Sequence, residues 1–336
     1  MSTEIRVTAP NRVDLAGGTT DLYPLFLLMD GGCTVNAAVT VVSQATLRPL
    51  DGPGIRIVSD DLGKTVEGAG PDELPLDGPL GLLVRAVRVL PPPGPVEIVT
   101  RNQAPAGSGL GASSALLVAL LVGLLKLRAE QMSSDKIIDL AANIETSAIG
   151  VPTGKQDYIA ALYGGVSMLE FGHLGFQRQT AGEDTDAREP LERMIVLSYT
   201  GEGHFSGINN WEMTKAFIDK KGEVRDKLFR IRDLARQVGA LIMGGKPGDA
   251  AELIDREWEL RRTLAPGIST PRIDSIIAAT RAAGALANKI CGAGGGGCMI
   301  TLTLPEHRAA VEKAIAEAGG SLLSFRIDRR GVVVDA

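Results

Sequence analysis

The chain has 336 residues, 44% of them apolar and 22% charged, with a formal net charge of -5. This is the composition of a globular protein with room for two domains and a sizeable core. The acidic balance speaks against general nucleic-acid binding, which needs a basic face.

Three cysteines, Cys33, Cys291 and Cys298, form neither a metal-ligand spacing nor a disulfide framework, which suits a reducing cytoplasm. The N-terminus, MSTEIRVTAP, has no basic n-region or apolar h-region, so no signal peptide is expected. His173, His204 and His307 have no Ser/Asp setting around them, which argues against histidine-driven hydrolysis.

Residues 5–16, IRVTAPNRVDLA, alternate as a strand does, with Val13 and Leu15 on one face and Arg12 and Asp14 on the other. A turn follows at Gly17 and Gly18. Residues 34–49 and 55–68 read as further strands, PPPGP (91–95) as a rigid connector, and 96–100 as another strand. Then comes PAGSGLGASSALLVALLVGLL (105–125), a glycine-rich turn running straight into an apolar segment. The 14 residues from Ala112 to Leu125 are too few for a membrane span, which needs ~20. A short helix apolar on every side is expected in a core.

A capped amphipathic helix follows over 133–150, then a short helix in GKQDYIAALYGG. Residues 174–192, polar and aperiodic, read as a loop or the approach to a domain boundary. Helical patterns recur near 208–220, 223–243, 248–263 and 272–284. A strand–loop–strand surrounds KICGAGGGGCMITLTL (289–304), followed by a helix over 306–318 and strands at 321–327 and 331–335. The expected class is α+β, with domains at 1–185 and 186–336.

The turn at 105–114 carries three elements of an anion site. Glycines let the backbone approach a ligand, serines can cap free N–H groups, and the first turn of a helix offers unpaired donors at the positive end of its dipole. Gly107, Gly109 and Ala112 also satisfy G-x-G-x-x-A, a dinucleotide fingerprint. That reading is weakened by six residues between the turn and the preceding strand, and by a helix where the ribose-binding strand belongs. A Walker A string is absent. A glycine turn that merely caps a core helix remains open.

On a helical wheel Ile137, Ile138, Ala141, Ile144 and Ala148 share one arc, and Glu145 falls inside it. A carboxylate on an inner face is costly unless it is paired or binds a cation. Arg12 or Lys155 are candidate partners, and a divalent metal is the other solution.

Three segments, APNRVDLAGGTTDL (9–22), PAGSGLGASSAL (105–116) and KICGAGGGGCMI (289–300), resemble in order the three signature motifs of the GHMP kinases. The strings AGGTTDL, GKQDYIAALYGG and REWELRR look most like the bacterial sugar-1-kinases that act on D-glycero-D-manno-heptose 7-phosphate. The chain departs from that pattern at Thr19, where a third glycine is usual, and after Tyr-Thr-Gly in YTGEGHFSGINNW (199–211).

The resemblance implies a two-lobed α/β fold with the active site in the cleft between lobes. It implies an ATP- and Mg²⁺-dependent cytoplasmic kinase that phosphorylates a sugar or sugar phosphate, with the anomeric hydroxyl as acceptor. No nucleic-acid or membrane partner is expected, and a homodimer is compatible with it.

By the same resemblance, Pro105, Gly107, Ser108, Gly109, Leu110, Gly111, Ala112, Ser113 and Ser114 hold the nucleotide. Ser114 and Glu145 bind the metal. Asp157, 12 residues beyond Glu145, handles the proton of the nucleophile, with Arg12 and Lys155 beside it; Asp157 also suits a helix cap. Thr20 and Asp21 match sugar-binding positions, and Gly294 and Gly295 the glycine loop near substrate. Arg261 and Arg262 read as a solvated helix face or as a site for a distal phosphate. A non-catalytic nucleotide or sugar binder, a kinase for another alcohol or sugar acid, and a nicotinamide enzyme are the alternatives.

Overall fold

The computed structural model describes residues 4–181, 188–203 and 206–335, without the side chains of 206–209. The first half runs β1 (Ile5–Ala16), α1 (Leu25–Leu28), β2 (Gly32–Pro49), β3 (Ile55–Ser59), β4 (Lys64–Gly68), α2 (Gly81–Val89) and β5 (Val96–Asn102). It continues through α3 (Ala112–Leu127), α4 (Ser134–Ile149), α5 (Gln156–Tyr163), β6 (Val166–Gly172) and β7 (Gly175–Thr180). The second half has α6 (Arg188–Met194), β8 (Ile195–Tyr199), α7 (Ser206–Ile218), α8 (Val224–Met243), α9 (Ala251–Arg261) and α10 (Pro271–Ala282). It closes with β9 (Ala285–Ile290), β10 (Cys298–Thr303), α11 (Arg308–Glu317), β11 (Ser321–Leu323) and β12 (Val333–Asp335).

The 18-residue β2 is the spine of an eight-stranded sheet. It pairs antiparallel with β1, with β6 from Gly32 to Ala37, and with β5 from Ser43 to Pro49. The β1–β2 register shifts between Pro10 and Asn11, where proline cannot donate to the ladder. The strand is irregular just ahead of Arg12, the residue it delivers to the site. A four-stranded sheet, β11-β8-β10-β9, forms the other half.

Helix α3 packs on β1 and β2 and is flanked by α2, α4 and α5. With neighbours on all sides, Leu117, Val118, Leu120, Leu121 and Leu124 are fully buried, which is why the segment is apolar around its whole circumference. No helix among the described residues is long and apolar enough to cross a membrane. Val238 and Ile242 of α8 join Val35, Ala37 and Leu15 in a second core on the other face of β2. A third core joins Leu228, Trp258, Ile276, Met299 and Val311 in the second half.

The observed class is α+β, and most elements fall where the pattern places them. The expected loop over 174–192 is a correction: it contains β7, hydrogen-bonded to β6 from Gly172/Gly175 to Ser167/Thr180, and the start of α6. As an edge strand with mostly exposed side chains, β7 needs no apolar face, so hydrophobic periodicity misses it. Residues 182–187, where the 185/186 boundary falls, lie outside the described residues. The last strand, β12, returns to pair with β1, and Ile327 bridges to Val39, so the end of the chain completes the first sheet.

Candidate active site

A cleft of about 320 Å³ opens at the N-terminus of α3. One wall is the turn from Pro105 to Ser114, in which all the expected nucleotide-binding residues except Leu110 line the cleft. Leu110 is fully buried in the second core and anchors the turn. Gly107, Gly109 and Gly111 have φ of +69°, +71° and +74°, a left-handed conformation that favours glycine. Gly111 precedes α3 without a side-chain cap, and the first turn has no acidic residue. The opening turn of a 16-residue helix therefore borders the cleft without a side-chain cap on its N–H groups.

Close approach explains two of these glycines. A Cβ on Gly109 would lie 2.4 Å from the Cys291 carbonyl oxygen, and one on Gly111 would lie 2.9 Å from the Asp157 carboxylate. The loop 292–297 packs against this turn: Cys298 N–H donates to the Ser108 carbonyl at 2.6 Å, and a Cβ on Gly297 would meet the same carbonyl. Gly292 and Ala293 reach the cleft. Gly294 and Gly295, expected near substrate, instead lie against Ile268, whose carbonyl accepts the Gly295 N–H at 2.8 Å.

Arg12 and Asp157 meet at the floor. Arg12 Nη2 is 2.7 Å from Asp157 Oδ1, and Nη1 donates to the Gly109 carbonyl. Burial pushes the Asp157 carboxyl up; Arg12 opposes this, while Asp21, Glu145 and Asp14 add to it, and the result is about 7. Asp21 is buried beside them and accepts the Gln156 backbone N–H at 3.0 Å. Burial raises its pKa above the usual range, against that hydrogen bond.

Glu145 lies on the buried face of α4, as the wheel indicates. Neither Arg12 nor Lys155 is its partner. Its carboxylate accepts hydrogen bonds from Ser113, Ser114 and Tyr158 hydroxyls, that of Ser114 at 2.7 Å. Burial and the Glu145 charge hold the Tyr158 phenol well above its ordinary pKa, so it stays a donor. Ser114 and Glu145 both line the cleft. A serine hydroxyl and a carboxylate are hard oxygen donors of the kind Mg²⁺ takes while keeping several waters, so this pair fits that ion.

Two more expected residues are placed elsewhere. Lys155 turns away to the outer face of α4, where its ammonium is 2.6 Å from Asp139 Oδ1. Thr20 is fully buried, and its hydroxyl is occupied by the Gly17 and Cys33 carbonyls at 2.7 and 2.9 Å and by the Cys33 N–H. It braces the turn and leaves the cleft to Thr19 and Asp21.

Arg261 corrects the expectation of a solvated face or a phosphate site. It is fully buried, with Nη2 2.7 Å from Glu257 Oε1 and 2.6 Å from the Gly18 carbonyl. Glu257 and Asp14 flank Lys289, and all three are fully buried. Arg262 is the surface residue, paired with Asp274.

Sequence reasoning does not find the far end of the cleft. Leu62, Leu80 and Leu83 line it, with Asp61 accepting from Ser59 and Asn102 at 3.1–3.2 Å. These residues come from separate elements and turns and share no pattern. Nor does it find Asn210, which enters the cleft from α7. His204 and Phe205 lie outside the described residues.

Residues 81–165 match the family description "GHMP kinases N terminal domain" and residues 240–321 "GHMP kinases C terminal". The chain is 26% identical to the D-glycero-alpha-D-manno-heptose 7-phosphate kinase of Campylobacter jejuni, covering 98% of each chain. It is 30% identical to the mevalonate kinase of Pyrococcus furiosus, covering 71% of this chain and 69% of that one. Its fold is similar to that of a D-glycero-D-manno-heptose 1-phosphate kinase from Bacteroides thetaiotaomicron, with a TM-score of 0.80 over 99% of both chains at 24% identity. The turn, the two acidic positions and the glycine loop thus sit in segments matched by the two family descriptions, one in each half of the chain, and the protein belongs to the GHMP kinase family.

Proposed function

We propose that the protein transfers the γ-phosphoryl group of ATP to the anomeric hydroxyl of a heptose 7-phosphate or a related sugar. Family membership makes it a phosphotransferase with an alcohol acceptor. The sugar assignment draws on the likeness to the C. jejuni heptose 7-phosphate kinase over the whole chain.

The observation that carries the reading is the placement of the Arg12–Asp157 pair directly beneath Gly111, at the first turn of α3. In this reading the phosphates lie on the N–H groups of 107–114, and the nucleoside extends toward Leu80, Leu83 and Asp61. The acceptor lies toward Asp21. Asp157 takes the proton of the attacking hydroxyl on its carboxylate. Arg12 holds that carboxylate in place and offsets charge as the phosphoryl group moves.

Ser114 and Glu145 would hold Mg²⁺, which when bound neutralises phosphate charge. Residues 1–185 would form the nucleotide-binding domain and 186–336 the second domain, with β12 reaching back to the first sheet. A cytoplasmic setting belongs to the proposal, supported by three buried free cysteines.

The test is ADP release from Mg-ATP with D-glycero-D-manno-heptose 7-phosphate, hexoses and sugar acids, followed by NMR of the product. Turnover with phosphate on the anomeric carbon is expected. No ADP above background with any acceptor would overturn the reading.

A further inference from the structure

We propose that Thr19 and Asn210 act as one unit that reads an oxygen of the acceptor, and that buried Arg261 is the positioning residue that orients it. The proposal rests on the sugar-kinase reading and adds to it the residues that select the acceptor.

Thr19 has φ of +73°. For a β-branched residue that conformation is a steric outlier, and such strain persists where the surroundings over-determine it. The strained residue lines the cleft between Gly18 and Asp21. Its Oγ1 is 3.2 Å from Arg261 Nη1 and 3.3 Å from Asn210 Oδ1. Arginine only donates, so Oγ1 accepts from Arg261, and the threonine O–H is directed to the Asn210 carbonyl oxygen. The Asn210 amide is thereby turned so that its Nδ2 is the group left to donate. Asn210 also lines the cleft.

Arg261 cannot reorient to undo this. Its remaining nitrogens are held by Glu257 Oε1 and the Gly18 carbonyl at 2.6–3.0 Å, and Glu257 also accepts the Gly17 N–H. Donors run in one direction, from Arg261 through Thr19 to the Asn210 amide. Such a line suits an acceptor oxygen with a lone pair toward α7, a hydroxyl or ring oxygen of a sugar. The two residues, 191 apart in the chain, touch each other here.

Thr19→Gly removes the hydroxyl, and glycine takes φ +73° without steric cost. Thr19→Ser keeps the hydroxyl without the branch, and Asn210→Ala removes the amide. With D-glycero-D-manno-heptose 7-phosphate, galactose and mannose as probes, Thr19→Gly and Asn210→Ala are each expected to raise the KM for the best acceptor about fivefold, the effect of one neutral hydrogen bond. The KM for ATP should stay unchanged and Thr19→Ser should behave as wild type. The double variant should lose little more than either single one.

An acceptor KM within twofold of wild type for Thr19→Gly, or fully additive losses, would overturn the proposal. Wild-type turnover judges the kinase reading separately. If no probe is phosphorylated, calorimetry with the same three sugars decides: binding that Thr19→Gly weakens supports the unit, and no binding by wild type sinks it.

Discussion

Arg12 Nη2 lies 2.7 Å from Asp157 Oδ1, yet the Asp157 carboxyl is raised to about 7 because burial outweighs the arginine. A carboxylate in that position takes a proton only when ionised. Activity with saturating Mg-ATP should therefore fall on the acid side, with a half-point near 7. A kcat/KM profile against pH checks this. A flat profile between roughly pH 6 and 8, about a unit either side of that pKa, would remove Asp157 from the proton transfer.

The same shift has a consequence for stability. The folded-state pKa, about 7, lies above the 3.8 ordinary for an aspartate in an unfolded chain. Between those values the folded protein holds the extra proton, so the stabilisation is full at low pH and is lost as pH rises through 7. Asp157→Asn lacks that loss. It should melt higher than wild type at pH 8, with the gap narrowing by pH 5, while turnover is abolished. Equal melting differences at both pH values would show that Asp157 ionises in the fold as freely as in water.

Three hydroxyls converge on Glu145, and two of them, those of Ser113 and Ser114, belong to the first turn of α3 and line the cleft. Glu145→Gln keeps the shape and removes the charge. It should raise the Mg²⁺ concentration for half-maximal activity at least tenfold, and Ser114→Ala should raise it less. Magnesium titrations at fixed ATP measure both. Tyr158→Phe deletes one donor to Glu145 without touching the cleft lining, so it should leave the titration nearly in place and cost about 1 kcal/mol of stability.

Some of this was legible in the chain and some was not, for physical reasons. Alternation exposes β1, and the apolar run exposes α3, because burial on one face or all faces leaves a periodic mark. Glu145 was readable as a charge out of place on an apolar arc. Lys155 was misjudged because adjacency to Asp157 in sequence says nothing of direction; the chain turns into α5 there and sends the side chain to Asp139. Arg261, beside a second arginine, reads as a solvated face or a site for a distal phosphate, while its partners, Glu257 apart, lie some 240 residues away at Gly18 and Thr19. Asn210, Asp61 and Asn102 enter from separate elements, and only the folded chain brings them to one cleft.

Lys289 supplies the last prediction. Its ammonium is 3.1 Å from Asp14 Oδ2 and 3.6 Å from Glu257 Oε2, with all three side chains out of contact with solvent. Burial alone would raise the Asp14 pKa; Lys289, Arg261 and Arg12 together hold it below the usual range. Lys289→Met leaves that carboxylate without its nearest cation and should cost about 3–5 kcal/mol. Lys289→Met with Asp14→Asn removes the charge that was left unpaired, so the double variant should be more stable than the single one. Urea unfolding of the two variants measures the difference. If the double variant is the less stable, the cluster is held by packing, and the paired charges beneath the Gly17–Thr19 turn contribute nothing to its rigidity.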